Sequence, residues 1–186
     1  MTVMSDPSRC AVVLVDYQQR LLPAIARGAQ VVTEAVRLAD CARALGIRVV
    51  GTEQNPAGLG PNAPEIRDRC ESTVAKMHFD ACADGLVQAL RAPGQPPPLE
   101  IVVAGCETHV CLMQTALGLL RAGIGVRVAA NACGSRNPAD HELALDRLRH
   151  AGAVLESVEM LVFEWLGTCE HERFRPVLEI LKAPRG

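Results

Sequence analysis

Three side chains in this sequence would make a nucleophile and the groups that serve it: Cys111, Lys76 and Asp16. Cys111 stands three residues after Thr108, the expected cap of a helix over 108–122. Its sulfur then falls in the first turn, where free N–H groups and the positive end of the helix dipole favour a thiolate. An ammonium at Lys76 acts in the same direction. A carboxylate at Asp16 can take the thiol proton and later return it to a leaving group. Backbone N–H groups around Glu107 and Cys111 would point out of the tight turn into the helix, which makes them candidates for an oxyanion hole. One such donor is worth about 2.7–4 kcal/mol of transition-state stabilisation.

Each residue also has a plainer reading. A cysteine in a helix is usually a small buried hydrophobe, and Cys111, Thr115, Gly118 and Ala122 form a small-residue stripe that would let the helix pack closely. Asp16 can be a turn residue after a strand, and Lys76 a solvated charge. Position decides between these readings, so the elements that carry the three residues matter.

The chain alternates apolar runs with amphipathic stretches. CAVVLV (10–15) reads as a buried strand, since it is a short, continuous, valine-rich run. Val31, Ala35, Leu38, Ala42 and Leu45 share one face of a helix over 30–45, which Gly46 stops. Further strands are expected over 47–50, 73–77, 99–104, 126–130 and 153–157, with a short helix over 83–90. A helix over 138–151 begins well, because Asn137 can cap it and Pro138 suits its first turn. Closing helices are expected over 159–166 and 173–181, and GQPPP (94–98) is a stiff connector too short to separate domains. The pattern predicts one α/β domain over 1–186. It is a three-layer α/β/α Rossmann-like sandwich on a six-stranded parallel sheet of order 3-2-1-4-5-6. Ligands of such sheets bind beyond the carboxyl ends of the strands. Asp16, Gly51-Thr52-Glu53, Lys76, Gly105-Cys106-Glu107 and Asn131 all fall there, bringing an acid, an amine and a thiol to one rim.

Composition narrows the partners. Apolar residues make up 49% of the 186 and charged residues 22%, as in ordinary soluble domains. A formal net charge of -2 gives no electrostatic reason to expect nucleic acid or an anionic membrane. The few aromatics (Tyr17, Phe79, Phe163, Trp165, Phe174) do not build a stacking platform. No apolar run spans a bilayer, and no charged start leads into a signal-like stretch, so a cytoplasmic protein is expected. Eight irregularly spaced cysteines then read as reduced thiols. The spacing of Cys106 and Cys111 is not that of a dithiol oxidoreductase.

The segments AVVLVDYQQRLLPAI, VAKMHFDA and VVAGCETHVCLMQTALGLLRAGIGVRVAANACGSR resemble the signature regions of the isochorismatase-like cysteine hydrolase superfamily. GTEQNPAGLGPNAPEI, GCETHVC and SVEMLVFEWLGTCEHERFRPVLEILK are similar to its isochorismatase domain-containing subgroup, so the resemblance covers nearly the whole chain. It implies a catalytic triad of Asp16, Lys76 and Cys111, with oxyanion donors at the N–H groups of Glu107 and Cys111. It also implies a cis peptide between Cys106 and Glu107.

Departures from the family sharpen the expectation. Nicotinamidase members carry a metal site of one Asp and two His after the second strand. Here that stretch reads TEQNPAGLG, without histidine, and His78, His109, His141, His150 and His171 lack ligand spacing, so neither metal nor cofactor is expected. A retained Cys111 favours acyl chemistry, the hydrolysis of an amide-type C–N bond in a small molecule through a thioester. Tyr17, Glu53, Gln54, Thr108 and His109 are candidate substrate contacts; Glu53 and Gln54 can equally cap the loop that follows them, and His109 can sit on the helix surface. Leu161, Val162, Trp165 and Leu166 suggest a self-association face, and a homo-oligomer is expected. Two other classes compete: a non-catalytic interaction or scaffold protein on the same fold, and a nucleotide-binding module, which the absence of a glycine fingerprint in DYQQRLLPAI weakens.

Overall fold

A computed structural model of the chain describes residues 5–91, 94 and 97–183. Continuous β-branched runs leave no face for water, and they fold here as central strands covered on both sides. The strands are β1 (Cys10–Val15), β2 (Arg48–Gln54), β3 (Ser72–Lys76), β4 (Glu100–Gly105), β5 (Gly125–Ala129) and β6 (Val154–Glu156). They form one sheet in the order β3-β2-β1-β4-β5-β6, and every pairing is parallel. The expected order is therefore the observed one. All six residues of β1 are buried.

The helices are α1 (Gly28–Ala44), the single turns α2 (Pro56–Leu59), α3 (Pro64–Arg67) and α4 (Leu86–Ala89), then α5 (Met113–Arg121), α6 (Pro138–His150), α7 (Val158–Leu166) and α8 (Phe174–Lys182). α1 packs against α7 and α8, while α5 packs against α6. The side chain of Asn137 caps α6 by accepting from Ala139 N–H. The helix expected over 83–90 is instead a 3-10 turn over Ala81–Asp84 and α4, because Gly85 between them takes φ 93 and breaks the ladder. Part of the GQPPP connector, residues 95 and 96, lies outside the described residues.

The expected self-association face is corrected. Leu161, Val162, Trp165 and Leu166 of α7 are all buried in the protein's own core, and α7 exposes Met160 and Phe163 instead. α7 is a covered helix because α1 lies over it. Its Glu164 joins a buried charge cluster: Arg127 on β5 meets Glu100 of β4 at 2.8 Å, Glu156 of β6 at 2.7 Å and Glu164 at 3.0 Å.

The sheet's centre brings β1 and β4 into unusually close approach. A Cβ on Gly105 would lie 2.6 Å from both Cβ and O of Val15, the residue that leads into Asp16. Gly105→Ala must push two central strands apart, and we expect it to lower stability by about 1–3 kcal/mol. A urea titration would show this as a lower midpoint at unchanged slope. A midpoint equal to that of the parent would mean that β1 and β4 are looser than the geometry says.

Candidate active site

β1, β2 and β4 end on the same rim, and each turns away through a residue that is not glycine yet has positive φ: Asp16 (55°), Asn55 (38°) and Glu107 (51°). Such backbone states cost on the order of 1–3 kcal/mol each and gather where function requires a particular side-chain direction. They supply three of the four such residues found among the described residues. They put a carboxylate, an amide-bearing strand end and the nucleophile turn around one point.

Asp16 and Lys76 are buried with their side chains 0% exposed, and Lys76 Nζ lies 2.8 Å from Asp16 Oδ2. Asp16 Oδ1 accepts from Thr52 Oγ1 at 2.7 Å. Lys76 Nζ also donates to Gln54 Oε1 at 2.6 Å and, more weakly, to His78 O at 3.4 Å. Cys111 Sγ stands 3.8 Å from the same Gln54 Oε1. The three residues singled out in the sequence thus share one buried cage, and Cys111, 5% exposed, is the member that reaches toward solvent.

The turn that carries Cys111 differs from expectation in two ways. The expected cis peptide between Cys106 and Glu107 is absent: no peptide among the described residues is cis, and the reversal is made by the left-handed Glu107. Glu107, not Thr108, is the helix's N-cap, and the first turn, Thr108–Leu112, is π-helical, with Met113 N–H reaching Thr108 O five residues back. Single π turns within α-helices are frequent at functional sites. Glu107 O, four residues before Cys111, is occupied by Val110 N–H at 2.9 Å.

The expected resting thiolate is also corrected. Burial pushes the Cys111 thiol up to about 12, the Asp16 carboxylate pushes it further the same way, and Lys76 opposes both. The ammonium offsets the carboxylate it is paired with, so desolvation decides the sign. Burial therefore favours the neutral thiol near pH 7. Alkylation of Cys111 by iodoacetamide is therefore expected to be slow at neutral pH and to quicken about tenfold per pH unit without levelling below pH 11. A plateau near pH 7 in mass-resolved labelling would show a thiolate already formed.

The other candidate contacts are distributed unequally. Tyr17 is fully buried and donates its hydroxyl to Ala132 O. Thr108 is fully buried, with its hydroxyl 2.9 Å from His141 Nδ1. His109 stays on the turn's outer side, 3.0 Å from Ser135 Oγ and 3.3 Å from Glu107 Oε2. Glu53 accepts from Asn62 N–H at 2.8 Å and so closes the loop after β2. The small-residue stripe does allow close packing: Asp80 Oδ1 would lie 2.4 Å from a Cβ on Gly118, and Thr115 Oγ1 accepts from Ala81 N–H at 3.1 Å. That contact fixes the segment following Lys76.

Two polar residues not expected from the sequence, Gln18 and Asn62, are built into the site beside Thr52. Gln18 donates through Nε2 to Gln54 O at 3.0 Å and accepts from Gln54 N–H at 2.8 Å. Asn62 donates to Thr52 O at 3.0 Å, and Thr52 holds Asp16. Gln18, Thr52 and Asn62 are all fully buried. The signal for Gln18 was available in DYQQ, a polar group placed soon after an apolar strand, whereas Asn62 lies in the loop GLGPNAP.

Beside the turn lies a cavity of about 490 Å³ whose lining includes Arg27, Glu34, Asn131, Ser135 and His141. It is lined by the segment leading into α1 and the segment between β5 and α6, but none of Asp16, Lys76 or Cys111 lines it. Among the described residues, no group of three or more His, Cys, Asp or Glu is arranged to hold a metal ion. All eight cysteines are free.

Residues 10–160 match the isochorismatase domain family. The isochorismatase domain-containing protein 2A of Mus musculus is 34% identical over 180 residues, covering 96% of this chain and 85% of its own. The MAR1 ribonuclease structure from Caenorhabditis elegans superposes with a TM-score of 0.90 at 28% identity, covering 98% of this chain and 95% of that one. The Escherichia coli YcaC gene product, an octameric hydrolase of unknown specificity, gives a TM-score of 0.88 at 26% identity, with coverage of 97% and 90%. YcaC from Pseudomonas aeruginosa, solved with hexane-2,5-diol and covalent acrylamide, gives 0.85 at 26% identity, with coverage of 95% and 90%.

Proposed function

The chain belongs to the isochorismatase family, whose members are commonly hydrolases, and from that premise we propose that it hydrolyses an amide-type C–N bond in a small molecule through a thioester on Cys111. The observation that carries this reading is the Asp16–Lys76 pair, 2.8 Å apart and sealed from water, with the Cys111 sulfur as the solvent-side member of the cage. A buried ion pair of this kind is costly to assemble and gives little net stability, so a chemical role accounts for it better than a structural one.

The sequence of steps follows from the geometry. Cys111 gives its proton to Asp16 as the sulfur attacks the substrate carbonyl, which removes the need for a free thiolate. Lys76 stays cationic throughout and steadies the negative charge on the sulfur and on Asp16. The N–H groups of Glu107 and Cys111 at the π turn are the donors for the oxyanion. Protonated Asp16 then delivers its proton to the departing amine as the C–N bond breaks. Water attacks the thioester with Asp16 again as base, and a carboxylic acid leaves as the thiol re-forms. No metal or cofactor enters these steps.

The relatives support a nucleophile that small molecules can reach. The Pseudomonas aeruginosa structure holds covalent acrylamide, a small electrophilic amide. The C. elegans structure bears the name ribonuclease, and an RNA substrate is the reading that its name favours. A formal net charge of -2 and a cage with little exposure favour the small substrate instead. The Escherichia coli relative is octameric. Met77 and Phe79, 68% and 50% exposed just beyond Lys76, and Met160 and Phe163 on α7 support self-association here too. The reading also treats residues 1–186 as one hydrolase domain in the cytoplasm. Among the described residues, no helix is long and apolar enough to cross a membrane.

The test is ammonia release from a panel of small primary amides and ureides, with a single-stranded RNA as a separate arm and Cys111→Ala as the control. Turnover of an amide by the parent protein supports the proposal. RNA cleavage with every amide untouched would replace it, and inertness toward both would favour a scaffold protein.

A further inference from the structure

Gln54 is placed where a substrate contact was expected, at the end of β2 beside Lys76, yet its side chain is occupied inside the protein. Nε2 donates to Met77 O at 2.9 Å, which obliges Oε1 to face the opposite way. There Oε1 meets Lys76 Nζ at 2.6 Å and Cys111 Sγ at 3.8 Å. Its backbone is held on both sides by Gln18, whose Nε2 also donates to Gly60 O at 2.6 Å. One neutral oxygen therefore touches both the ammonium and the thiol, and a closed set of hydrogen bonds prevents it from turning.

We infer that Gln54 is a positioning residue that holds the Lys76 ammonium beside the Cys111 sulfur while Asp16 changes charge. This rests on the proposed thioester chemistry. When Asp16 accepts the thiol proton it becomes neutral, and Lys76 loses the partner that anchors it at 2.8 Å. Its third acceptor, His78 O, is distant at 3.4 Å. Gln54 Oε1 remains, and as a neutral acceptor it keeps the cation in place without adding a negative charge against the developing thiolate. Glutamine meets that requirement, and glutamate, which has the same shape, does not.

Labelling of Cys111 with iodoacetamide separates this role from others, because the reaction needs no substrate. Gln54→Met keeps the length and removes the acceptor; Gln54→Glu keeps the shape and adds a charge near the sulfur. Both are expected to slow Cys111 labelling at pH 9 at least about tenfold, the equivalent of one pKa unit or more, with Gln54→Glu the slower. Thermal unfolding of each variant shows whether the fold is kept, and the comparison is made at a temperature where both are native. Parent-like labelling rates in both variants would overturn the inference and leave the thioester reading intact. So would a rate in Gln54→Glu that matched or exceeded that of the parent. A variant that unfolds is replaced by Gln18→Met, which frees the Gln54 backbone and should reproduce a weaker slowing; parent-like labelling there would count against the inference. If Cys111 in the parent stayed unlabelled at every pH up to 11, the nucleophile itself would fail, and the role of Gln54 with it.

Discussion

Cys111→Ala is expected to reduce turnover of any amide substrate by a factor on the order of 10⁴ or more, the scale seen when a nucleophile that works as part of a unit is removed. Stability should hardly change, because a small, nearly buried thiol gives way to a methyl group of similar size. The Asp16–Lys76 pair is untouched by the substitution, so the change isolates covalent catalysis from the electrostatics of the cage. Cys111→Ser should be similarly poor, since a hydroxyl holds its proton more tightly than a thiol and the surroundings already disfavour the anion at this position. Intact-mass measurement during turnover of a slow substrate should show an acyl adduct on the parent and none on the alanine variant. Full turnover by Cys111→Ala would remove the thioester from the mechanism.

That expectation is compatible with a resting thiol, the form that burial favours at this position. A cysteine that must wait for its base is protected from adventitious oxidants and electrophiles, since the thiolate is the reactive form. In the proposed mechanism, reactivity then appears when a substrate carbonyl lies over the sulfur and the proton can pass to Asp16. The left-handed corners at Asp16 and Glu107 serve this arrangement directly.

The sheet was readable from the chain because parallel strands covered on both faces must be apolar throughout. CAVVLV and EIVVAG leave no other assignment, and right-handed crossovers allow few strand orders. Asp16 and Lys76 were readable as strand-end residues for the same reason. What escaped the reading depends on neighbours distant in sequence. VEMLVFEWL is apolar on most of its circumference, and only the packing of α1 over α7 shows it to be a covered helix rather than an association face. Gly118 and Thr115 read as a packing stripe, but the sequence does not say that the partner is the segment holding Lys76. The sign of the Cys111 shift turns on desolvation against two opposed charges, and spacing says nothing about how deep a side chain lies. The amide network of Gln18, Gln54 and Asn62 is a set of contacts between the segment after β1, β2 and the loop after β2, and the pairing of β1 with β2 brings them together.

The second large effect is on stability, and it separates the cost of the buried pair from its use. Lys76→Met leaves the Asp16 carboxylate in a fully buried site with no compensating charge, and removing one partner of a buried pair typically costs about 3–5 kcal/mol. Asp16→Asn strands the ammonium in the same way but keeps the acceptor for Thr52 Oγ1 and suits the left-handed corner, so its cost should be the smaller of the two. Combining them removes both charges, and the double variant is expected to recover at least about 2 kcal/mol relative to the sum of the single losses, a coupling within the range for residues in direct contact. Urea unfolding of the four proteins gives that coupling. None of the three variants should turn over substrate, including the double variant with its regained stability, because no group is left to move the thiol proton. Additive losses would mean that water or another side chain neutralises each orphan charge. The pair would then be less isolated than its 2.8 Å contact and full burial indicate.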